Sequence, residues 1–198
     1  MRALVRILGP VGVVGACGEV ALGGPKERCL LTVLTLHMGG VVAEDRLIEA
    51  LWTGSPPRTA GKTLQNYVLR LRKRLECCGD AAIVTRPPGY VLEGITTDAA
   101  AARALVADAR RLAERGEHAA AIATFDEAFA LWRGPALAEF ADRPFARTEA
   151  AGLDELRASI AEERIAAIVA AGGRRDPSRS ARSWSPRNRC GSGGGRSS

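Results

Sequence analysis

The stretch KTLQNYVLRLRKRL at residues 62–75 carries five positive charges and no acidic residue, and its apolar side chains recur at helical spacing. At about 100° of rotation per residue, all of its apolar side chains except Leu69 fall within about 60° of Leu64. This apolar stripe consists of Leu64, Tyr67, Val68, Leu71 and Leu75. The opposite side carries Lys62, Asn66, Leu69, Arg70 and Lys73. Arg72 and Arg74 flank the stripe, where long side chains snorkel or contact backbone. The stretch therefore predicts a helix with one buried face and one basic, outward face.

Two shorter helices are predicted before this one. Pro25 occupies a first-turn position in PKERCLLTVLTLHMGG, and Gly39-Gly40 ends that helical pattern. Its buried stripe is predicted to consist of Leu30, Leu31, Leu34 and Met38. A second helix, AEDRLIEALW, has acids in its first turn and is predicted to bury Leu47, Ile48, Leu51 and Trp52.

The segment before Pro25 is typical of short strands interrupted by Gly and Pro. After the basic helix, AIVTRPPGYVLEG at residues 82–94 predicts a hairpin with a basic tip.

The second half of the chain is alanine-rich and predicted to be helical. DAAAARALVADARRLAERG and EHAAAIATFDEAFALW form two amphipathic helices joined at Gly116, an αα-hairpin. A long helix is predicted from Phe145 to Gly173, whereas residues 174–198 lack hydrophobic periodicity and are predicted to be disordered. We therefore expect three regions: a mixed domain of strands and helices at 1–97, a helical domain at 98–173 and a basic tail at 174–198.

The net charge of +6 is unevenly distributed along the chain. Residues 1–97 carry +4, residues 98–173 carry −4 and residues 174–198 carry +6, so the overall charge is poor evidence for nucleic-acid binding.

No apolar run is long enough to cross a bilayer and the N-terminus lacks a secretory signal, so a cytoplasmic protein is expected. The five cysteines have neither disulfide-framework nor zinc-ligand spacing. No nucleophile–histidine pair, paired buried acids or phosphate loop indicates catalysis, so no enzyme, metal or cofactor is expected.

Strands, three helices and a terminal hairpin, with a basic third helix, are the layout of a winged helix. A helix of about 16 residues is roughly 24 Å long and fits the major groove of duplex DNA. Asn66 is suited to adenine, Arg70 to guanine, and Lys62 and Lys73 to phosphates, while Arg86 lies within reach of a phosphate or the minor groove. Two alternatives stay open at this point: a solvated basic face on a protein-interaction module, or nonspecific nucleic-acid binding by the arginine-rich tail.

Several long sequence segments resemble those of a known protein family. KTLQNYVLRLRKRL, PPRTAGKTLQNYV and VTRPPGYVL resemble the OmpR-type winged helix of the antibiotic regulatory protein (SARP, or AfsR-like) family. ALWRGPALAEFADRPFARTEAAGLDELR resembles the bacterial transcriptional activation domain of that family, which is built of tetratricopeptide-like helix pairs. The resemblance covers about residues 1–173 and implies an α+β winged helix followed by an all-α domain.

The resemblance also implies a function and a set of site residues. It implies a transcriptional regulator, often of secondary-metabolite gene clusters, that binds direct repeats in double-stranded DNA, in some cases as a homodimer, and helps recruit RNA polymerase. By position, the recognition helix is Thr59 to Leu75 and the wing is Ile83 to Leu92. The residues that match positions at or near DNA are Lys62, Thr63, Asn66, Tyr67, Arg70, Arg72, Lys73 and Arg86.

The sequence departs from the family pattern after Gly173, where about half of the usual helices of the activation domain are present. We interpret the Arg/Ser/Gly/Pro tail as the result of a frameshift or truncation, and no ATPase domain of the larger AfsR-like proteins follows it. Helical-repeat units bury their faces against neighbours. The last helix is therefore expected to expose apolar surface that favours dimerisation or aggregation.

Overall fold

The computed structural model describes residues 2–16 and 18–173, and the predicted disordered tail at 174–198 lies outside the described residues. Seven strands and six α-helices follow one another within these ranges. The strands are β1 (Ala3–Arg6), β2 (Gly12–Gly15), β3 (Gly18–Val20), β4 (Val42–Ala43), β5 (Ala82–Arg86), β6 (Gly89–Glu93) and β7 (Ile95–Thr97). The helices are α1 (Pro25–Leu36), α2 (Glu44–Leu51), α3 (Ala60–Leu75), α4 (Asp98–Glu114), α5 (His118–Ala130) and α6 (Pro144–Gly173).

The strands form two small sheets. The first has the order β3-β2-β1-β7, and the second has the order β4-β6-β5, with β5 and β6 forming the hairpin that the sequence predicts. Pairing is antiparallel as expected, except that β7 runs parallel to β1. This parallel pair is not evident from the sequence pattern, because β7 is only three residues long and its partner lies about ninety residues earlier. Since β7 leads directly into α4, the first sheet also anchors the start of the helical half.

The three helices of the N-terminal half enclose its core. Leu30, Leu31 and Leu34 of α1 are fully buried as predicted. Met38 was wrongly predicted to be buried: it is 45% exposed, because α1 ends at Leu36 and the chain turns away at Gly39, where φ is +82°. In α2, Leu47 and Leu51 are buried, whereas Ile48 and Trp52 are partly buried and pack against the core.

The helical half consists of an antiparallel hairpin, α4 and α5, covered by α6. Gly116 joins the hairpin in the left-handed region (φ +77°), as a helix-ending glycine does. Small side chains bring the helices close together around Phe125. At the far end of α6 the apolar side chains of Ile165, Ile168 and Val169 are exposed, which confirms the expectation from the sequence. Among the described residues no helix is sufficiently long and apolar to span a membrane.

The two halves are joined by a polar contact around Asp98, the first residue of α4. Its carboxylate is 3% exposed and accepts hydrogen bonds from the backbone N–H groups of Ile7 (2.7 Å) and Leu8 (3.1 Å). Arg133 approaches the same carboxylate at 3.2 Å, and its own N–H donates to the Leu8 carbonyl at 2.8 Å. Leu137 N–H donates to the Ile7 carbonyl at 3.0 Å. Residues 7–8 therefore bind both the start of α4 and the loop that precedes α6.

Candidate nucleic-acid interface

The helix α3 presents two different faces. Leu64, Val68, Leu71 and Leu75 are buried on the core side, and Tyr67 packs partly buried beside them. The opposite side is a solvent-exposed strip that consists of Lys62, Asn66, Leu69, Arg70 and Lys73. Both faces match the helical-period prediction, with Thr59 as the N-cap residue rather than the first helical residue. We call these five residues the outward strip of α3.

Three of the site residues that the resemblance places on α3 lie off the outward strip. The Thr63 hydroxyl donates to the Thr59 carbonyl at 2.9 Å within the helix, and Tyr67 packs against the core. Arg72 donates from Nε to the Ile83 carbonyl at 2.7 Å and from Nη2 to Thr85 Oγ1 at 2.8 Å. Arg72 therefore braces β5 of the hairpin against α3, in agreement with its predicted position on the flank of the apolar stripe.

Two arginines of α3 form ion pairs with a buried carboxylate of α1. Glu27 in the first turn of α1 is 3% exposed, and its carboxylate lies 3.3 Å from Nη1 of Arg70 and 3.3 Å from Nε of Arg74. Arg74 also donates to the Ala21 carbonyl at 2.6 Å. The sequence analysis missed Glu27. A signal was available, because positions 27, 30, 31 and 34 share one face of a helix, so a buried acid on that face needs cationic partners.

The hairpin β5–β6, in the position of a wing, is fastened at its turn and along one edge. The N–H of Glu44, at the start of α2, donates to the Pro88 carbonyl at 3.2 Å. Gly89 sits so close to β4 that a Cβ there would lie 1.9 Å from the Val42 carbonyl oxygen. Tyr90 is buried, and burial together with the neighbouring Glu44 carboxylate raises the pKa of its phenol. The wing is therefore held in a fixed position beside α3.

Arg86 lies at the tip of the wing, as predicted. Its guanidinium forms an ion pair with Glu93 at 2.7 Å, and both side chains are largely exposed, at 58% and 41%. Surface pairs of this kind contribute little and exchange readily with other partners. Arg86 is thus a solvent-exposed cation at the tip of the wing.

These features define a winged helix of the OmpR type joined to a helical activator domain. The family model described as "Transcriptional regulatory protein, C terminal" matches residues 18–92, and that described as "Bacterial transcriptional activator domain" matches residues 97–186. This pair of matches is the arrangement of the SARP, or AfsR-like, regulators, and the chain belongs to that family of transcriptional regulators, which are generally not enzymes. The exact division at residue 97/98 stays a prediction.

Individual relatives agree with this assignment. The chain is 33% identical over 173 residues to the transcriptional regulatory protein MoaR1 of Mycobacterium tuberculosis, covering 84% of this chain and 56% of MoaR1. It is 33% identical over 171 residues to the regulatory protein DnrI of Streptomyces peucetius, covering 81% and 63%. The structure of M. tuberculosis EmbR in complex with a low-affinity phosphopeptide superposes with a TM-score of 0.80 at 30% identity, covering 86% of this chain and 46% of EmbR. The chain thus spans about half the length of these relatives.

Proposed function

We propose that this protein is a sequence-specific DNA-binding transcriptional regulator, an activator of a secondary-metabolite or similar gene cluster, that reads the major groove with α3. The observation that carries the proposal is the outward strip of α3, where polar and basic side chains are exposed while the other face of the helix is locked into the core. A helix held in this way presents the same side chains to every duplex that it meets. It therefore suits base recognition as well as charge attraction.

Each residue of the outward strip has a role in this proposal. Asn66 makes a bidentate contact with adenine, and Arg70 addresses guanine O6 and N7. Lys62 and Lys73 bind phosphates on either side of the groove, and Leu69 contacts a thymine methyl group. Arg86 contacts the flanking phosphate or minor groove from the wing. Thr63, Tyr67 and Arg72 act indirectly, by holding the helix and the wing.

The helical half has a separate role. By analogy with its family, it recruits RNA polymerase, while pairs of chains occupy direct repeats as a homodimer on DNA. This activity belongs to the bacterial cytoplasm, at the nucleoid. The relatives' names as transcriptional regulators support the general role, and DNA reading and polymerase recruitment go beyond those names.

The proposal is tested by binding of the full chain to duplexes selected from a random pool. About five phosphate contacts predict that log Kd changes with log salt concentration with a slope of magnitude near 4.5. We expect Asn66→Ala to lower the preference for the selected site by roughly five- to tenfold while nonspecific affinity changes little. Lys73→Ala is expected to weaken binding to all sequences and to reduce the salt slope by about one.

A matched control is Arg147→Ala, which removes one exposed cation from α6 in the helical half. It is expected to leave both specificity and salt slope unchanged. If Asn66→Ala and Lys73→Ala bind the selected duplex as the unaltered chain does, DNA reading by α3 is rejected in favour of a protein-interaction module. Deletion of residues 174–198 tests a second alternative, nonspecific nucleic-acid binding by the arginine-rich tail. Loss of all binding on deletion would assign nucleic-acid binding to the tail.

A further inference from the structure

Glu27 is an unusual residue to find behind a DNA-facing helix. It belongs to α1 and is 3% exposed, yet its two carboxylate oxygens face two arginines of α3 that lie one helical turn apart. Oε1 accepts a hydrogen bond from Nη1 of Arg70 at 3.3 Å. Oε2 lies 3.3 Å from Nε of Arg74, but no hydrogen bond from a described residue reaches it. The carboxylate is therefore held by charge between the two guanidinium groups.

The backbone beside Glu27 leaves room for this arrangement. A Cβ on Gly23 would lie 1.5 Å from Oε2 and 2.4 Å from Cδ of Glu27. A Cβ on the neighbouring Gly24 would meet nothing within 4 Å. A side chain at Gly23 would overlap the Glu27 carboxylate where it stands, so the carboxylate would have to move from its present position.

An anchored guanidinium differs physically from a free one. A long arginine side chain loses rotamer entropy when it is fixed on binding, and a side chain that is already held loses less. The Glu27 carboxylate fixes one nitrogen of Arg70 before DNA arrives, while the side chain of Arg70 stays 64% exposed. Among the described residues only Nη1 of Arg70 has a partner, so Nε and Nη2 keep donors for the two acceptors of guanine. The same negative charge offsets part of the nonspecific attraction of α3 for phosphates.

We propose that Glu27 is a positioning residue that determines DNA specificity by orienting Arg70 in the groove. This inference rests on the proposed function, because it assumes that α3 reads DNA. It assigns to a buried residue of α1, which touches no base, control over which base Arg70 selects.

The proposal predicts opposite changes in two measured affinities of the full chain. Glu27→Gln keeps the shape of the side chain but removes the charge that anchors Arg70. We expect affinity for nonspecific duplex to rise and the salt slope to steepen, because one more cation is free to bind phosphate. The ratio of specific to nonspecific affinity is expected to fall by roughly five- to tenfold, with the loss confined to one base position. A purely structural role would instead lower both affinities together and leave their ratio unchanged.

A double-mutant cycle and a glycine pair make the test independent of folding defects. In an Arg70→Ala background, Glu27→Gln should change the affinity ratio by less than about twofold, because the group that it orients is gone. Gly23→Ala displaces the carboxylate but keeps its charge nearby, so it should lower the ratio with a smaller change in salt slope than Glu27→Gln causes. Gly24→Ala is the matched control and should retain the ratio of the unaltered chain.

The outcomes separate this inference from the function on which it rests. If the unaltered chain shows no sequence preference, the proposed function is overturned and this inference with it. Two outcomes with a sequence-specific unaltered chain overturn only the positioning role of Glu27. In the first, Glu27→Gln leaves the ratio of specific to nonspecific affinity unchanged. In the second, Glu27→Gln lowers that ratio equally in the unaltered chain and in the Arg70→Ala background. The positioning role of Glu27 is established if Glu27→Gln and Gly23→Ala lower the ratio of specific to nonspecific affinity and Gly24→Ala does not.

Discussion

Arg72 illustrates how a charged residue on a recognition helix stabilises the protein itself. Its guanidinium donates to the Ile83 carbonyl and to the Thr85 hydroxyl, so it connects α3 to the first strand of the wing. We expect Arg72→Ala to lower the free energy of unfolding by about 1.5–3 kcal/mol, the range for hydrogen bonds that involve a charged group. Urea unfolding monitored by circular dichroism measures this loss.

The control for Arg72 is the next residue in the chain. Lys73 is exposed, and no hydrogen bond or ion pair from its side chain is found within the part of the chain that the structure describes. Lys73→Ala should change stability by no more than about 0.5 kcal/mol. Equal stability of the Arg72→Ala and Lys73→Ala variants would show that Arg72 does not brace the wing.

The sequence predicts residue positions well where helical periodicity decides them. The buried stripe and the outward strip of α3 follow from a spacing of 3.6 residues, as the burial of Leu64 and the exposure of Leu69 confirm. Met38 was misplaced because periodicity does not determine the turn at which a helix ends. Which cation Glu27 meets depends on how α1 crosses α3, and no local pattern encodes that crossing. The DNA contacts themselves stay predictions.

The end of α6 combines a continuous apolar sequence with exposed side chains. All seven residues from Ile165 to Ala171 are apolar, yet Ile165 is 59% and Val169 is 68% exposed. A helix that is apolar on all sides is normally buried, and the hairpin α4–α5 covers only one side of this one. We therefore expect the full chain to self-associate through this segment in a concentration-dependent manner.

This expectation is measured by sedimentation velocity over a range of protein concentrations. The double variant Ile165→Glu/Val169→Glu places two charges one turn apart on the same exposed face, so it should remain monomeric at concentrations where the unaltered chain associates. Leu69→Glu is the matched control, because Leu69 is 64% exposed but stands alone among polar and basic neighbours. Association that persists in the double variant, or that disappears in Leu69→Glu, would place the contact elsewhere.

The two halves of the molecule are joined by contacts that no local sequence pattern predicts. Asp98 and its partner N–H groups at Ile7 and Leu8 are about ninety residues apart. Glu139 similarly accepts from the Val11 N–H at 2.9 Å and from Nε of Arg28 at 2.7 Å. A Cβ on Gly9 would lie 3.1 Å from the Arg133 side chain, so the two segments approach closely. The sequence predicts each half separately, but their connection depends on the pairing of distant backbone groups.

The connection through Asp98 should make the halves unfold together. Asp98→Ala leaves two buried N–H groups without an acceptor, each costing about 1–3 kcal/mol, so we expect a total loss of about 3 kcal/mol in stability. Hydrogen exchange of the Ile7 and Leu8 amides should accelerate in the same variant, because their only described acceptor is removed. Asp108→Ala in the same helix is the control: its ion pair with Arg111 is exposed and worth little, so stability and exchange should stay unchanged. If Asp98→Ala matches Asp108→Ala in both measurements, the halves are held by their apolar contacts instead.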